Sequence, residues 1–514
     1  MIASLTSRFR SAPRTSQVLV VLVAAHVLLK AFLLTQVGKV AICCDQISYD
    51  DGAKALSNLV RDLVSLGPVH TEELQRNLVG GGWFTPGSSI MLAPLYVVDP
   101  HASTFAVRFY LGLFSTLLLL FAAHRVRKTL GDLYAIVLLV VPGLVPMWLL
   151  FSFSAWGDLV AGLLATILLM ELITLMRTLV GGQAPTWRAG ARFGLAAIGC
   201  VYARSSTSLL VIGMGLVLGL TALLVLRGRI RWHAIGAFAV AGVTFLAVLA
   251  PWSVFASHTL KSRVLTTTTV PIVLAQTFGD RDRVCFGLCD PVQDPGSTLG
   301  NIWFPPMQYS REVARATGES EVKVSKQMWT YTRPSISVHS YTHDVIGDTW
   351  RYAGVPASFA RLLLPPGADD GIGGWLIYIT AYLGWGAAFL AGVALLLSVA
   401  RRSIDQAVIS LMTTLSLGTL FTQPFVHVGT GRYWTTAAPL GGIALAFLIS
   451  MADARRAHPR LTAAQVTMEP PDPVAGEHGA GARPESVRRW LTVAQAVLAV
   501  ATVLALVLVP VLGA

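Results

Sequence analysis

Apolar runs long enough to cross a bilayer alternate with short basic or polar connections along almost the whole chain. They occupy residues 17–37, 103–126, 133–151, 159–176, 209–226, 233–255, 375–400, 407–426, 435–451 and 491–512, and a shorter apolar piece ends at Ala203. A run of about 20 apolar residues satisfies its own backbone as a helix in lipid. The pattern predicts an all-α membrane protein with about eleven transmembrane helices. Arg8, Arg10 and Arg14 precede the first run, and basic clusters at 125–128 and 227–231 close later ones. That bias sets the amino terminus and those loops in the cytoplasm. No small-residue cleavage site follows the first run, so it is expected to stay as a span.

Two stretches break the alternation. In the first outer loop, residues 38–102, Leu56, Leu59, Val60 and Leu63 recur at helical spacing opposite Lys54, Asn58, Arg61 and Asp62, until Gly67-Pro68 stops the pattern. A helix with such faces lies in the membrane interface. The apolar segment 83–96 is too short and too Pro-interrupted to span, and reads as a second interfacial or re-entrant piece. Residues 256–372 are too many for a structureless connection and are expected to form an extracytoplasmic loop domain. The expected order is a cytoplasmic amino terminus (1–16), a transmembrane core (17–255), the loop domain, transmembrane helices (373–451), a flexible cytoplasmic linker (452–489) and a last transmembrane helix (490–514).

Composition removes alternatives. With 54% hydrophobic and 13% charged residues and a mean hydropathy of +0.63, the chain has no soluble-domain surface. A net charge of +12 would suggest nucleic acid in a soluble protein. Here many of the basic residues fall in short loops, so the charge is read as a topology signal, with the lipid bilayer as partner and no nucleic acid. Cys285 and Cys289 lie in the outer loop domain, where oxidation is permitted and a local disulfide is expected. Cys43 and Cys44 are adjacent and can hardly pair with each other.

The candidate chemistry lies at the outer ends of the runs. Asp45 is the first acid after the first run, and Asp158 ends the hairpin between the runs at 133–151 and 159–176. Each could instead cap the helix that follows it. Arg204 and Arg432 run against the basic bias of the inner face, as phosphate ligands or as headgroup anchors. Arg108, one turn into a run, binds phosphate or pairs with an acid of the first loop. Tyr49 is a substrate contact or an interfacial aromatic. Asp50 and Asp51 are stand-in acids or solvated neighbours. Transfer from a lipid phosphate needs a base for the attacking hydroxyl and cations for the leaving phosphate, and this set supplies both.

Asp45 with Tyr49, Ala53 and Leu56, then the Phe84-Thr85-Pro86-Gly87 segment ending in Ala93-Pro94-Leu95, then Arg108, resemble the polytopic glycosyltransferases of the C superfamily (GT-C). The branch of protein O-mannosyltransferases and lipid A aminoarabinose transferases is the most similar. Ala203-Arg204, Ala250-Pro251-Trp252 and Gly431-Arg432-Tyr433 with Pro439 extend the match through most of residues 17–450. The chain departs from it at Gln46, where many relatives carry Glu, and at Thr85, where many carry His. The resemblance implies a cell-membrane enzyme that takes a sugar from a polyprenyl-phosphate donor on the outer face and passes it to a protein, lipid or glycan acceptor, with inversion where attack is direct. On it, Asp45 and Asp158 are the catalytic candidates. Arg432, Arg204 and Arg108 are the donor-phosphate candidates, and Tyr49 and Tyr433 the substrate contacts. No cofactor is fixed, and a divalent metal stays open. An envelope glycan polymerase or ligase, and a lipid-linked sugar flippase, are the rival readings.

Overall fold

The computed structural model describes residues 13–278, 313–353, 357–367, 371–397, 403–426, 431–457, 490–498 and 500. Among these, every regular element is a helix. The expected Cys285–Cys289 disulfide, most of the linker and most of the last run lie outside the described residues. The chain is that of a membrane protein. Eight described helices are long and apolar enough to cross a bilayer: Arg14–Val37, Thr104–Leu130, Asp158–Val180, Ser205–Val225, Gly228–Thr259, Gly373–Leu395, Ile404–Phe425 and Trp434–Ala452. Asp158–Val180 is the most enclosed of them and runs through the centre of the core.

The run at 133–151 is not one helix. It divides into Asp132–Val140 and Pro146–Leu150, because Pro142 and Pro146 cannot donate to the helical ladder and clash with the preceding turn. The break leaves Gly143 O inside the protein, and His26 of the first helix answers it through Nδ1 at 2.7 Å. One turn further on, Lys30 Nζ donates to Gly112 O (2.6 Å) and Ser115 Oγ (2.7 Å) and lies over the Phe153 ring. Neither side chain stands out in the sequence reading, since both are hidden among apolar neighbours. In a bilayer, polar side chains on a buried helix face serve as glue between helices.

Trp187–Ala203, a helix of 17 residues, packs directly on Gly228–Thr259. A Cβ at Gly190 would lie 2.0 Å from Ala237 O, and one at Gly194 would lie 2.4 Å from Ala241 O. The spacing of four on both helices is the small-residue pattern that lets two backbones touch. Gly190→Ala is therefore expected to force the pair apart at a cost of about 1 to 3 kcal/mol, read as a lower unfolding temperature in detergent. Gly199→Ala, whose nearest neighbour is a Leu164 methyl at 3.6 Å, should leave it unchanged.

Residues 38–102 fold mainly as the helices Asp45–Val64 and Gly87–Val98, with the short helix Thr71–Glu73 and the π-helix Leu74–Val79 between them. Asp45–Val64 turns an exposed face carrying Val60, Leu63 and Val64 away from Gly87–Val98, which packs on its other side. Asp50 is not a solvated neighbour: it is buried, accepts from Tyr96 Oη and pairs with Lys54 at 2.7 Å. Just past the middle of the central helix, buried Glu171 pairs with Arg125 and, at 3.4 Å, with Arg192. The helix Trp434–Ala457 continues through the first residues assigned to the linker.

Candidate active site

Four charged residues, remote from one another in sequence, meet where helices begin or end. Asp45 is the first residue of Asp45–Val64 and Asp158 the first of Asp158–Val180, ends whose unpaired N–H groups favour negative charge. Arg204 follows the last residue of Trp187–Ala203, where unpaired carbonyls favour a cation. Arg432 lies in the turn Gly431–Tyr433 that feeds Trp434–Ala457. Its helix end does not suit its sign, and both acids hold it instead.

Arg432 Nη1 lies 3.4 Å from Asp45 Oδ2, and Arg432 Nε lies 3.4 Å from Asp158 Oδ2. Arg204 Nη1 pairs closely with Asp158 Oδ1. Burial works against the charge on Arg432, but the Asp158 and Asp45 carboxylates outweigh it and push the guanidinium above its ordinary range. The exposures divide the roles. The Asp158 side chain is 1% exposed and gripped by two arginines, whereas the Asp45 side chain is 27% exposed. Asp45 is the carboxylate that a molecule from outside can reach.

Local backbone choices bring these ends together. Gly157 has φ +73°, which favours glycine, and a Cβ there would lie 2.5 Å from Ala203 O. The hairpin that ends in Asp158 can thus rest directly on the residue before Arg204. Thr436 Oγ1 donates to Asp158 O at 3.1 Å, and Gly162 lets the Thr436 backbone lie against the central helix. The Asp158 and Arg432 ends are therefore fixed to each other by main chain as well as by charge.

Aromatic rings surround the cations. Arg432 lies over Phe359 (4.8 Å), Trp156 (5.5 Å) and Tyr433 (5.6 Å), and Arg204 lies over Tyr433 (4.2 Å). Tyr352 packs its ring on Phe421 and Tyr433 and donates to Leu420 O. Tyr352 and Phe359 belong to the stretch 256–372, expected as an outer domain, so residues of that stretch form a wall of the cluster. The Tyr49 ring packs at a tilt against Phe84, with 5.0 Å between ring centres. Burial, then the nearby Asp45 charge, pushes its phenol above the ordinary value. The buried Nε1–H groups of Trp156 and Trp434 find no acceptor among the described residues.

The structure thus brings together Asp45, Asp158, Arg204, Arg432, Tyr433 and the Tyr49 ring. Arg108 is not among them. Its guanidinium is fully buried and donates to Phe153 O (2.7 Å), Gln46 Oε1 (3.1 Å), Ala41 O (3.2 Å) and Val40 O (3.3 Å). It pairs with no first-loop acid and has little left to offer a phosphate. Instead it ties the loop that precedes Asp45 to the hairpin that precedes Asp158, and Gln46 Oε1 adds a bond from Ala155 N–H. Arg108→Met is expected to destabilise the fold by more than about 3 kcal/mol, since it strands several buried acceptors. The phosphate affinity of the folded fraction, measured by isothermal titration, should not change.

The sequence reading missed Trp156, Tyr352, Phe359 and Gln46. A signal for Tyr352 was present: Thr342, Val345, Asp348 and Tyr352 are buried at helical spacing along Val338–Ala353. Among the described residues no group of three or more His, Cys, Asp and Glu is placed to hold a metal ion. Both acids of the cluster face guanidinium groups, which is not the donor set of a divalent cation. No family model matches the chain, and no curated protein matches it.

Proposed function

We propose that this protein is a membrane glycosyltransferase that moves a sugar from a polyprenyl-phosphate donor to an extracytoplasmic acceptor, with inversion at the anomeric carbon. The observation that carries the reading is Arg432, bridging the reachable Asp45 and the enclosed Asp158 beside Arg204. Base and phosphate ligands are the two demands of this reaction, and here they share one junction. The order of motifs that resembles GT-C enzymes supports the same reading.

At rest two carboxylates balance two guanidinium groups. An arriving phosphate competes for Arg432, whose contact with Asp45 is long at 3.4 Å. Arg432 turns to the phosphate oxygens with Arg204 beside it, and Asp158 keeps both cations aimed. Asp45, released, accepts the proton of the acceptor hydroxyl as its oxygen attacks the anomeric carbon. The anomeric C–O bond breaks and the electron pair leaves with the phosphate. The buried indole N–H groups of Trp156 and Trp434 are further donors for phosphate or sugar oxygens.

In this reading the chain crosses the cell membrane eleven times. The pair Asp132–Val140 and Pro146–Leu150, the helix Trp187–Ala203 and the last apolar run add to the eight long helices, and the cluster faces outward. The outer domain, whose Tyr352 and Phe359 border the cations, selects the acceptor. Proteoliposomes supplied with radiolabelled polyprenyl-phosphate hexoses and pentoses test the activity. Label is expected to pass to an acceptor glycan, lipid or protein, or to be released as free sugar when none is present. Label that crosses the bilayer still on its lipid identifies a flippase instead, and no turnover of any donor overturns the proposal.

A further inference from the structure

We propose that Cys43 and Cys44 form a redox-active vicinal dithiol, which closes reversibly to a disulfide and in closing loosens the turn that carries Asp45. The inference does not depend on the activity proposed above. Adjacency argues against such a bond, because neighbouring Cα atoms lie about 3.8 Å apart and disulfides usually span about 4.4 Å or more. The fold has lowered that obstacle. Cys44 has φ +59° and ψ −142°, a conformation that side chains other than glycine seldom adopt. The two sulfurs sit 3.0 Å apart, with Cys44 Sγ–H donating to Cys43 Sγ. The sulfurs are thus already side by side, and closure has only to shorten their separation to the bond length of about 2.05 Å. Both thiols are partly exposed, so a small oxidant can reach them, while Cys200 is buried.

Burial, the hydrogen bond to Cys43 and the Asp45 charge push the Cys44 thiol up to about 12 against the opposing pull of Arg432, so it keeps its proton at neutral pH. The Cys44 S–H points at Cys43 Sγ and stabilises charge there, which makes Cys43 the attacking sulfur. Against a low-molecular-weight disulfide such as oxidised glutathione, the Cys43 thiolate bonds to one glutathione sulfur and expels the other, which takes up the proton Cys43 lost. The Cys44 sulfur then bonds to Cys43, expels the second glutathione thiolate and gives its proton to it. One disulfide forms, one is reduced, and two electrons pass to two glutathione thiols. A bridge strained by adjacency is readily reduced again, which makes the step reversible.

The same residues begin the Asp45 helix. Gln46 N–H donates to Cys43 O at 3.2 Å and Ile47 N–H to Cys44 O at 3.1 Å. A closed ring fixes the 43–44 peptide in a new orientation and draws those carbonyls away from their donors.

Purified full-length protein, reduced and then equilibrated against glutathione buffers of rising oxidation, is quenched with acid, alkylated with N-ethylmaleimide and digested. The peptide holding both cysteines is expected to lose its two alkylation sites together, lighter by two hydrogens and free of glutathione. Cys44→Ser, which leaves the attacking thiol without a partner, should accumulate glutathione on Cys43. Wild-type protein that stays fully alkylated in oxidised glutathione, or that retains glutathione on either sulfur, overturns the dithiol. Deuterium uptake at amides 46–49 should speed up several-fold on oxidation and return on reduction. Equal uptake in the two states overturns the link to the Asp45 turn.

Discussion

Asp45→Asn is expected to lower sugar transfer by at least about 100-fold, the usual loss when a positioned base is removed, while donor binding survives. The amide keeps the shape of the side chain and still faces Arg432 Nη1, yet cannot accept the hydroxyl proton. The loss should fall on kcat, because the group acts on the attacking hydroxyl and not on the bound lipid. Asp51→Asn is the fair control. Asp50→Asn is not, because Asp50 is built into the Tyr96 and Lys54 contacts that hold the helix. Asp158→Asn should behave differently from Asp45→Asn: it unpins two guanidinium groups inside the protein, so both donor affinity and stability should fall. A wild-type rate in Asp45→Asn beside a dead but folded Asp158→Asn would make Asp158 the base.

Arg432→Ala is the second large effect. It should weaken binding of the donor phosphate by about 2 to 4 kcal/mol, in the range for a desolvated charged contact. Arg432→Lys should recover only part, since an ammonium lacks the planar fork that grips two oxygens. The truncation also leaves Asp158 buried with Arg204 alone, so a fall in unfolding temperature should accompany the loss of affinity. Donor affinity is read by titrating polyprenyl phosphate into protein in nanodiscs. An unchanged affinity in Arg432→Ala would return Arg432 to the role of a headgroup anchor.

The four members of the ion cluster were legible because each interrupts an apolar pattern at an end expected on the same side of the membrane. A charge that faces lipid is expensive, so an Asp or Arg at such an end already signals a partner. The sequence named the residues, and the fold supplied the pairing. Arg108 shows where this logic stops. A guanidinium aimed at backbone carbonyls and one aimed at a phosphate look alike in an apolar run, and only Val40 O, Ala41 O and Phe153 O tell them apart. The broken run at 133–151 was legible in Pro142 and Pro146, but total hydrophobicity concealed the backbone those prolines interrupt. Gly190 and Gly194 met Ala237 and Ala241 for a reason no single helix can reveal, since the contact exists only once two helices are paired. The aromatic wall needed Tyr352 and Phe359 to come back to the cluster, and spacing along Val338–Ala353 marks a buried face without saying what it packs against.

The central helix carries one acid at its start and another just past its middle, and each acid holds two arginines. Asp158 takes Arg204 and Arg432, and Glu171 takes Arg125 and Arg192. Arg192 and Arg204 belong to the same neighbouring helix and its cap, so two antiparallel segments are riveted at two points about 18 to 20 Å apart at a rise of 1.5 Å per residue. Sliding one past the other by a single turn, about 5.4 Å, would have to break both rivets at once. The alignment of Arg204 with Asp158 is thus set in part from the middle of the helix, more than three turns away. Loosening Glu171 would put play into the register of a site that it never touches.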